Sequence, residues 1–241
     1  MTVLLPALPI GVLIGAVGIG GVLLPPALIW LGGYDAHTAA GTSSWCFLFT
    51  GVAGTLAYAR RGTMPWRFTG WLTVGAAPAA VAGALTNNQA SGTVVQLVLA
   101  VLTAGSGVYN LLSPTRAAPG RTDLPAPWAI TVGALVGFGS AMTGTGGPVL
   151  LVPILLALNV APLTTVAAGQ LIQLPLVAFA SATYATNHQI NFSAGTHLGL
   201  LAAAGVLIGA ATAQRLPARR LRQVAATTLI AVGAFLLATL L

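Results

Sequence analysis

Apolar residues occur in eight long runs that are separated by short polar joints. The runs cover residues 3–31, 36–59, 68–86, 93–112, 127–158, 163–186, 194–213 and 221–241. A helix needs about 20 apolar residues to cross the ~30 Å hydrocarbon core of a bilayer, and each run is close to that length or longer. The pattern therefore predicts an all-α integral membrane protein.

The composition supports this prediction. Of 241 residues, 56% are hydrophobic and only 5% are charged, which is far too little charge for a water-soluble domain of this length. The only two acidic residues, Asp35 and Asp123, lie in joints, so an intramembrane carboxylate relay is excluded. The nine basic residues are all arginine and gather at the joints. The net charge of +7 therefore indicates membrane topology and not a nucleic-acid surface.

The chain divides into two halves that resemble each other. The longest polar interval, residues 113–126, contains Arg116, Arg121 and several prolines, and we interpret it as a linker between a first repeat, 1–112, and a second repeat, 127–241. Shifting the chain by 126 residues places five glycines on glycines and one tyrosine on a tyrosine. The matched pairs are Gly11 and Gly137, Gly18 and Gly144, Gly20 and Gly146, Gly21 and Gly147, Gly83 and Gly209, and Tyr58 and Tyr184.

The first run of each half is interrupted by glycine. Three glycines fall within residues 18–21 and three within 144–147, with Pro25 or Pro153 soon after. Each glycine costs a helix about 1 kcal/mol relative to alanine, so two short helices are favoured over one continuous helix. We expect each broken run to form a re-entrant hairpin with its glycine tip near the middle of the membrane, followed by three transmembrane helices.

The arginines test this arrangement, because cytoplasmic loops are enriched in them. In the first half they flank the joint after the second run, and in the second half they fill the joint after the third run. Eight simple spans would make the halves parallel and would divide the arginines between the two sides. Re-entrant hairpins would instead make the halves inverted, place all nine arginines and the linker in the cytoplasm, and leave both termini periplasmic. We expect the inverted arrangement in the inner (plasma) membrane, with eight simple spans as the alternative. The first segment has no basic residue before it, and we expect it to remain in the membrane.

Inverted halves with helices broken at matching positions are typical of transporters whose site lies near the midplane. The glycine pairs Gly20–Gly21 and Gly146–Gly147 precede half-helices whose N–H groups and positive dipole ends favour anions. Neutral donors in the second runs and beside the second tip could complete a site: Thr42, Ser43, Ser44, Thr143, Thr145, Gln170 and Gln173. The alternatives are that the glycines serve helix packing and that the hydroxyls bond to their own backbone.

Other classes of site have little support in the sequence. The single cysteine, Cys46, lies inside an apolar run, and the histidines His37, His188 and His197 lie at run ends or in a joint. There is no H-E-x-x-H motif and no Ser/His pairing with a recognised spacing. We expect no metal, no cofactor and no enzymatic activity, and the partners we expect are a small anion and the lipid bilayer.

Three segments resemble the sulfite exporter TauE/SafE family of membrane permeases. They are G-A-V-G-I-G-G-V-L-L-P at 15–25, A-A-G-T-S-S at 39–44 and T-G-T-G-G-P-V-L-L-V-P at 143–153, together with G-x-x-x-G at Gly205 and Gly209. The resemblance extends over essentially the whole chain. It implies transport, usually export, of sulfite, thiosulfate, sulfoacetate or a related sulfonate. The second half has Gln170 where the first has Thr42, so the two sides of a site would differ chemically.

These observations lead to a functional hypothesis. We expect an alternating-access carrier that exports a small sulfur oxyanion, with one half moving against the other. The alternatives are an anion-selective channel and a membrane scaffold subunit that transports nothing. The sequence leaves open the exact anion, the direction of transport, the coupling ion, the oligomeric state and the choice between carrier and channel.

Overall fold

The computed structural model of the chain describes residues 4–18, 20–112 and 121–213 and scattered positions between 223 and 238. In this part of the chain the regular structure is helical, apart from one isolated backbone bridge between Arg121 and Val160. The helices are α1 (Ala7–Val17), α2 (Leu24–Gly32), α3 (Ala36–Ala59), α4 (Trp66–Gln89), α5 (Gly92–Leu112), α6 (Ala126–Thr143), α7 (Pro148–Ala157), α8 (Pro162–Thr186) and α9 (Phe192–Ala213).

The helices confirm an all-α membrane architecture. Four of those described, α4, α6, α8 and α9, are long and apolar enough to cross a bilayer. The helix α4, for example, has 24 residues and is about 36 Å long at 1.5 Å per residue. Most of the eighth apolar run and the arginines Arg116, Arg215, Arg219, Arg220 and Arg222 lie outside the described residues.

Both glycine interruptions break the helix, as predicted. The helix α1 ends at Gly18 and α6 ends at Gly144, each in the left-handed conformation, with φ of 79° and 68°. Glycine adopts this conformation without steric cost and is the usual residue at a helix C-terminus. The first run therefore gives helices of 11 and 9 residues, and the second gives helices of 18 and 10 residues.

The two ends of the second broken run lie side by side. The backbone N–H of Arg121, just before α6, donates to the carbonyl oxygen of Asn159 at 2.8 Å. The N–H of Ala161, just after α7, donates back to the carbonyl oxygen of Arg121 at 2.9 Å. The chain therefore enters α6 and leaves α7 at the same end of the molecule, and the pair forms a hairpin.

Glycines bring helices of the two halves into backbone contact. A Cβ atom on Gly11 of α1 would lie 2.0 Å from the carbonyl oxygen of Ala202 in α9, and one on Gly137 of α6 would lie 2.3 Å from that of Ala76 in α4. The two glycines, and the two alanines, are each 126 positions apart. The helix α1 thus packs on α9 and α6 packs on α4, with no room for a side chain at either crossing.

Two buried tyrosines repeat the same spacing. The hydroxyl of Tyr58 in α3 donates to the carbonyl oxygen of Gly15 in α1, and that of Tyr184 in α8 donates to Ala141 in α6. Both hydrogen bonds join residues 43 positions apart. Tyr58 therefore connects α3 to the last turn of α1, and Tyr184 connects α8 to the last turn of α6, in each case just before a glycine break.

Polar residues collect at opposite ends of the helices. At one end, which we call the amide end, Asn88 in the last turn of α4 donates to Asn187 just after α8 at 3.3 Å, and Gln189 donates to Asn88 at 2.8 Å. At the other end, the arginine end, Arg67 in the first turn of α4 and Arg121 before α6 line one cleft. Because α4 runs from one end to the other, the two joints joined by Asn88 and Asn187 lie away from these arginines.

Candidate functional site

The two glycine tips touch each other inside the protein. A Cβ atom on Gly21 would lie 2.7 Å from the backbone carbonyl oxygen of Thr145. Both residues are buried, and so is the neighbouring Phe47, which lies halfway along α3. The fold therefore brings the two breaks together at the middle of a long helix.

The ring of Phe47 lies against both tips. A Cβ atom on Gly146 would lie 2.7 Å from its Cδ2 atom, and one on Gly21 would lie 3.3 Å from its Cζ atom. The ring is only 1% exposed. Phe47 was not among the predicted site residues, because one aromatic side chain inside an apolar run has no distinguishing local signal.

The second tip consists of two left-handed glycines directly before a helix. Gly146 and Gly147 have φ of 82° and 100°, and Gly147 is the N-cap of α7. Within the described chain, their backbone N–H groups have no hydrogen-bond acceptor. The first residue of α7 is Pro148, which has no N–H, and the N–H groups of Leu150 and Leu151 donate to the carbonyl oxygen of Gly147. The free backbone donors at this tip therefore include those of the two glycines.

The first tip differs from the prediction. Gly20 and Gly21 do not lead directly into a half-helix but begin a 3₁₀ turn, Gly20–Leu23, and α2 starts at Leu24. Pro25 and Pro26 occupy the first turn of α2 and supply no N–H groups. The start of α2 therefore has fewer free donors than its sequence position indicated.

Gln170 connects the second half to the end of the first broken helix. Its side chain is fully buried, and its Nε2 atom donates to the carbonyl oxygen of Ile14 at 3.0 Å. The Oε1 atom has no partner among the residues that the structure describes. This oxygen faces Gly54, where an added Cβ atom would lie 2.0 Å away. The predicted intramembrane glutamine thus lies beside the first tip.

Gln173 lies one turn further along α8 and bonds to α3. Its Nε2 atom donates to the carbonyl oxygen of Phe47 at 2.8 Å and to the hydroxyl of Thr50 at 2.7 Å. The hydroxyl of Thr50 in turn donates to the Phe47 carbonyl at 3.2 Å. Gln173 therefore holds the segment of α3 whose aromatic ring touches both tips.

Hydroxyl groups line the second tip. The side chains of Thr143 and Thr145 are hydrogen-bonded to each other at 3.0 Å, and Thr143 also donates to the carbonyl oxygen of Gly139. The hydroxyl of Ser140 is buried and has no partner in the described residues, and its carbonyl accepts the N–H of Thr145 at 3.1 Å. Ser140 was not predicted, although its position three residues before Thr143 places both hydroxyls on one helix face.

The predicted hydroxyls of α3 have separate surroundings. Thr42 accepts the backbone N–H of Asn191 at 3.0 Å and so faces the start of α9. Ser44 donates to the carbonyl oxygen of Ala40, one turn earlier, in the local pattern common for serine in membrane helices. Ser43 is fully buried, and its hydroxyl has no partner in the described part of the chain. The hydroxyl hydrogens of Thr42 and Ser43 therefore have no acceptor among the described residues, whereas that of Ser44 is bound to Ala40.

The electrostatics of this region depend on neutral groups. The buried polar residues of the described chain are Thr, Ser, Asn and Gln, without a charged side chain. No group of three or more potential metal-ligating His, Cys, Asp or Glu residues occurs in the residues searched. An anion here would be stabilised by oriented N–H groups, hydroxyls and amides.

Comparison with known proteins identifies the family. The model of the family described as Sulfite exporter TauE/SafE matches residues 7–236 of the 241. No curated protein and no solved structure matches the chain. The match covers both glycine tips, the glutamines of α8 and the central linker, so this multi-pass membrane protein belongs to the sulfite exporter TauE/SafE family of transporters.

Proposed function

We propose that the chain exports a small sulfur oxyanion by alternating access between two inverted repeats. The candidates are sulfite, thiosulfate and an organosulfonate such as sulfoacetate. The observation that carries the proposal is the contact between the two broken-helix tips at Gly21 and Thr145, surrounded by buried neutral donors. Family membership supports transport of sulfur anions, and the chemistry of the donors suits an oxyanion.

The proposed binding groups are the residues that the sequence predicted. They are the tip glycines Gly20, Gly21, Gly146 and Gly147, the hydroxyls of Thr42, Ser43, Ser44, Thr143 and Thr145, and the amides of Gln170 and Gln173. An oxyanion accepts several hydrogen bonds at once, and these residues supply N–H, O–H and NH₂ groups without a fixed charge. The donors of Ser44, Thr143 and Gln173 would have to leave their present acceptors to bind it. Binding should be weak enough for rapid release, because no cation holds the anion in place.

Burial favours a carrier over an open channel. Gln170 and Ser43 have no exposed surface, and Thr145 is 2% exposed. An anion from water can reach these groups only when the surrounding helices separate. We therefore propose that Phe47 and the two tips part on one side at a time, so that the site alternates between the two faces.

Three features support inverted repeats. The contacts of Gly11 and Gly137 and those of Tyr58 and Tyr184 recur at a spacing of 126 residues. The α6–α7 hairpin begins and ends at the arginine end. The C-terminal ends of α4 and α8 meet at the amide end. The 126-residue shift makes α8 equivalent to α3, which runs opposite to α4. Parallel halves would therefore place the C-terminal ends of α4 and α8 on opposite faces of the membrane.

The proposal includes an orientation in the inner (plasma) membrane. Arginine-rich joints face the cytoplasm, so the arginine end and the linker, residues 113–126, would be cytoplasmic. The first repeat would cover residues 1–112 and the second 127–241, with both termini periplasmic. Labelling of Asn187→Cys and Arg60→Cys with an impermeant thiol reagent tests this, in a background in which the buried Cys46 is replaced by alanine. Labelling of position 187 only from the cytoplasm would contradict the inverted arrangement.

A binding measurement tests the site. Purified protein should be stabilised against heat by sulfite, thiosulfate or sulfoacetate and less by taurine, which carries a cationic amine. We expect Gln170→Ala to lose this stabilisation, whereas Gln89→Ala, an exposed amide at the end of α4, should keep it. Unchanged affinity in Gln170→Ala would overturn the site, and equal loss in Gln89→Ala would show that the effect is not local.

A further inference from the structure

The arginine end has a cleft that the transport site does not use. Its volume is about 410 Å³, within the range of small-molecule sites. Two arginines contribute to its walls, Arg67 from the first turn of α4 and Arg121 from the segment before α6. The buried side chains of Phe68 and Leu124 also line it. The cleft therefore combines an apolar lining with two cationic groups.

The cations of the cleft have no partner within the part of the chain that the structure describes. Neither guanidinium group makes a hydrogen bond or an ion pair to another described residue, although Asp123 lines the same cleft. In contrast, Arg61 nearby donates to the carbonyl oxygen of Ala210 at 2.7 Å. The backbone of Arg121 is fixed on both sides by its bonds to Asn159 and Ala161, so this guanidinium is attached to a well-supported position.

The surroundings indicate the level of the lipid headgroups. Trp71 lines the cleft, and Trp66 and Trp128 lie in the first turns of α4 and α6. All three side chains are exposed. Exposed tryptophans at the ends of membrane helices mark the boundary between hydrocarbon and headgroups. The cleft therefore opens where the phosphates of a bilayer leaflet would lie.

We propose that this cleft binds the phosphodiester headgroup of a phospholipid from the leaflet at the arginine end. The two arginines and Asp123 sum to one positive charge, which matches the single negative charge of a phosphodiester. Guanidinium groups bind phosphate oxygens through paired, charge-assisted hydrogen bonds. Asp123 supplies an acceptor for a hydroxyl or ammonium group on the headgroup, and Trp71 covers the glycerol and the start of the acyl chains.

Native mass spectrometry of the full chain tests the proposal, with phosphatidylglycerol as the lipid probe and inorganic phosphate as the soluble one. We expect the wild type to bind one phosphatidylglycerol and expect Arg67→Gln or Arg121→Gln to weaken that binding at least about tenfold. Arg60→Gln is the matched control, because Arg60 is exposed on the same face but outside the cleft. Circular dichroism should show all three variants folded.

Three results would overturn the assignment. Equal weakening in Arg60→Gln would show attraction by general surface charge. Inorganic phosphate that binds as tightly as the lipid, and displaces it, would show a site for a free anion. Lipid binding that survives in the double variant of Arg67 and Arg121 would also contradict the proposal, since the described lining of the cleft would then carry no cation.

Discussion

The amide nitrogen of Gln170 in α8 donates a 3.0 Å hydrogen bond to the carbonyl oxygen of Ile14, one turn before the first glycine break. The same carbonyl accepts the N–H of Gly18 at 2.9 Å. Gln170 therefore joins a continuous helix of the second half to the broken helix of the first. A movement of one half against the other has to change this bond.

Replacing Gln170 by leucine should separate stability from binding. The Ile14 carbonyl keeps its bond from Gly18, so the loss of one amide bond should lower the free energy of unfolding by only about 1 kcal/mol. Anion affinity should fall at least about tenfold in the same variant. Thermal unfolding with and without thiosulfate measures both quantities. A large loss of stability with unchanged affinity would assign Gln170 to structure alone.

The crossing of α4 and α6 should tolerate no side chain at Gly83. A Cβ atom there would lie 2.2 Å from the carbonyl oxygen of Phe138, so Gly83→Ala should destabilise the protein by several kcal/mol or force the helices apart. Gly70 lies in the same helix with nothing within 4 Å, and Gly70→Ala should stabilise it by about 0.5–1 kcal/mol. Unfolding of the two variants in the same detergent compares them. We expect Gly83→Ala to lower the free energy of unfolding and Gly70→Ala to raise it. Equal changes in the two variants would contradict the close packing of α4 against α6 at Gly83.

The second tip should be more sensitive to alanine than another left-handed glycine. Gly146 has φ of 82°, and its Cβ atom would also meet Phe47 at 2.7 Å. Gly33 has φ of 67° with open space around it, so Gly33→Ala should cost only the backbone strain, about 1–2 kcal/mol. We expect Gly146→Ala to cost more and to reduce transport, as measured by unfolding and by anion uptake. Equal costs would show that Phe47 does not press on the tip.

The N-cap of α3 gives a prediction about pH. Partial burial of Asp35 opposes its ionisation, but hydrogen bonds from Thr38 and His37 outweigh this and hold the pKa of the carboxyl below its usual value. A lowered pKa means that the stabilisation is complete above about pH 4 and is lost as the pH falls through the folded-state value. Asp35→Ala should cost about 1 kcal/mol at neutral pH, and the difference from wild type should shrink in acid.

Asp35→Asn is the control for that prediction. Asparagine also caps helices but does not titrate, so this variant should stay near wild-type stability at neutral pH. Its unfolding should lack the acid dependence that the carboxylate contributes. A wild-type protein whose stability relative to Asp35→Asn is the same at pH 7 and at pH 3 would contradict the assigned role of the charge.

The helices and their breaks could be predicted because their signals are local. Continuous apolar runs predicted the helices α3, α4, α5, α8 and α9. Three glycines within four residues predicted the helix breaks at 18–21 and 144–147. The 3₁₀ turn at the first tip was missed, and α2, with its two prolines in the first turn, starts two residues later than predicted.

The contacts around the tips could not be read from the sequence. Phe47 and Thr50 acquire their positions from the register of α3 against α8, which depends on packing across the whole helix. In the sequence, the hydroxyl of Thr42 was equivalent to that of Ser43. In the structure, the Thr42 hydroxyl accepts a hydrogen bond from the backbone N–H of Asn191, which lies far away along the chain. Such pairings become visible only when the helices are placed.

Exchange transport in proteoliposomes tests the central claim most directly. Vesicles containing the purified chain are loaded with unlabelled thiosulfate, and the uptake of external labelled thiosulfate is followed, with the Gln170→Ala variant as the inactive control. An alternating-access carrier should give saturable uptake that internal thiosulfate accelerates. Uptake that rises linearly with concentration and ignores internal thiosulfate would indicate a channel, and no uptake of thiosulfate, sulfite or sulfoacetate would contradict the proposed transport altogether.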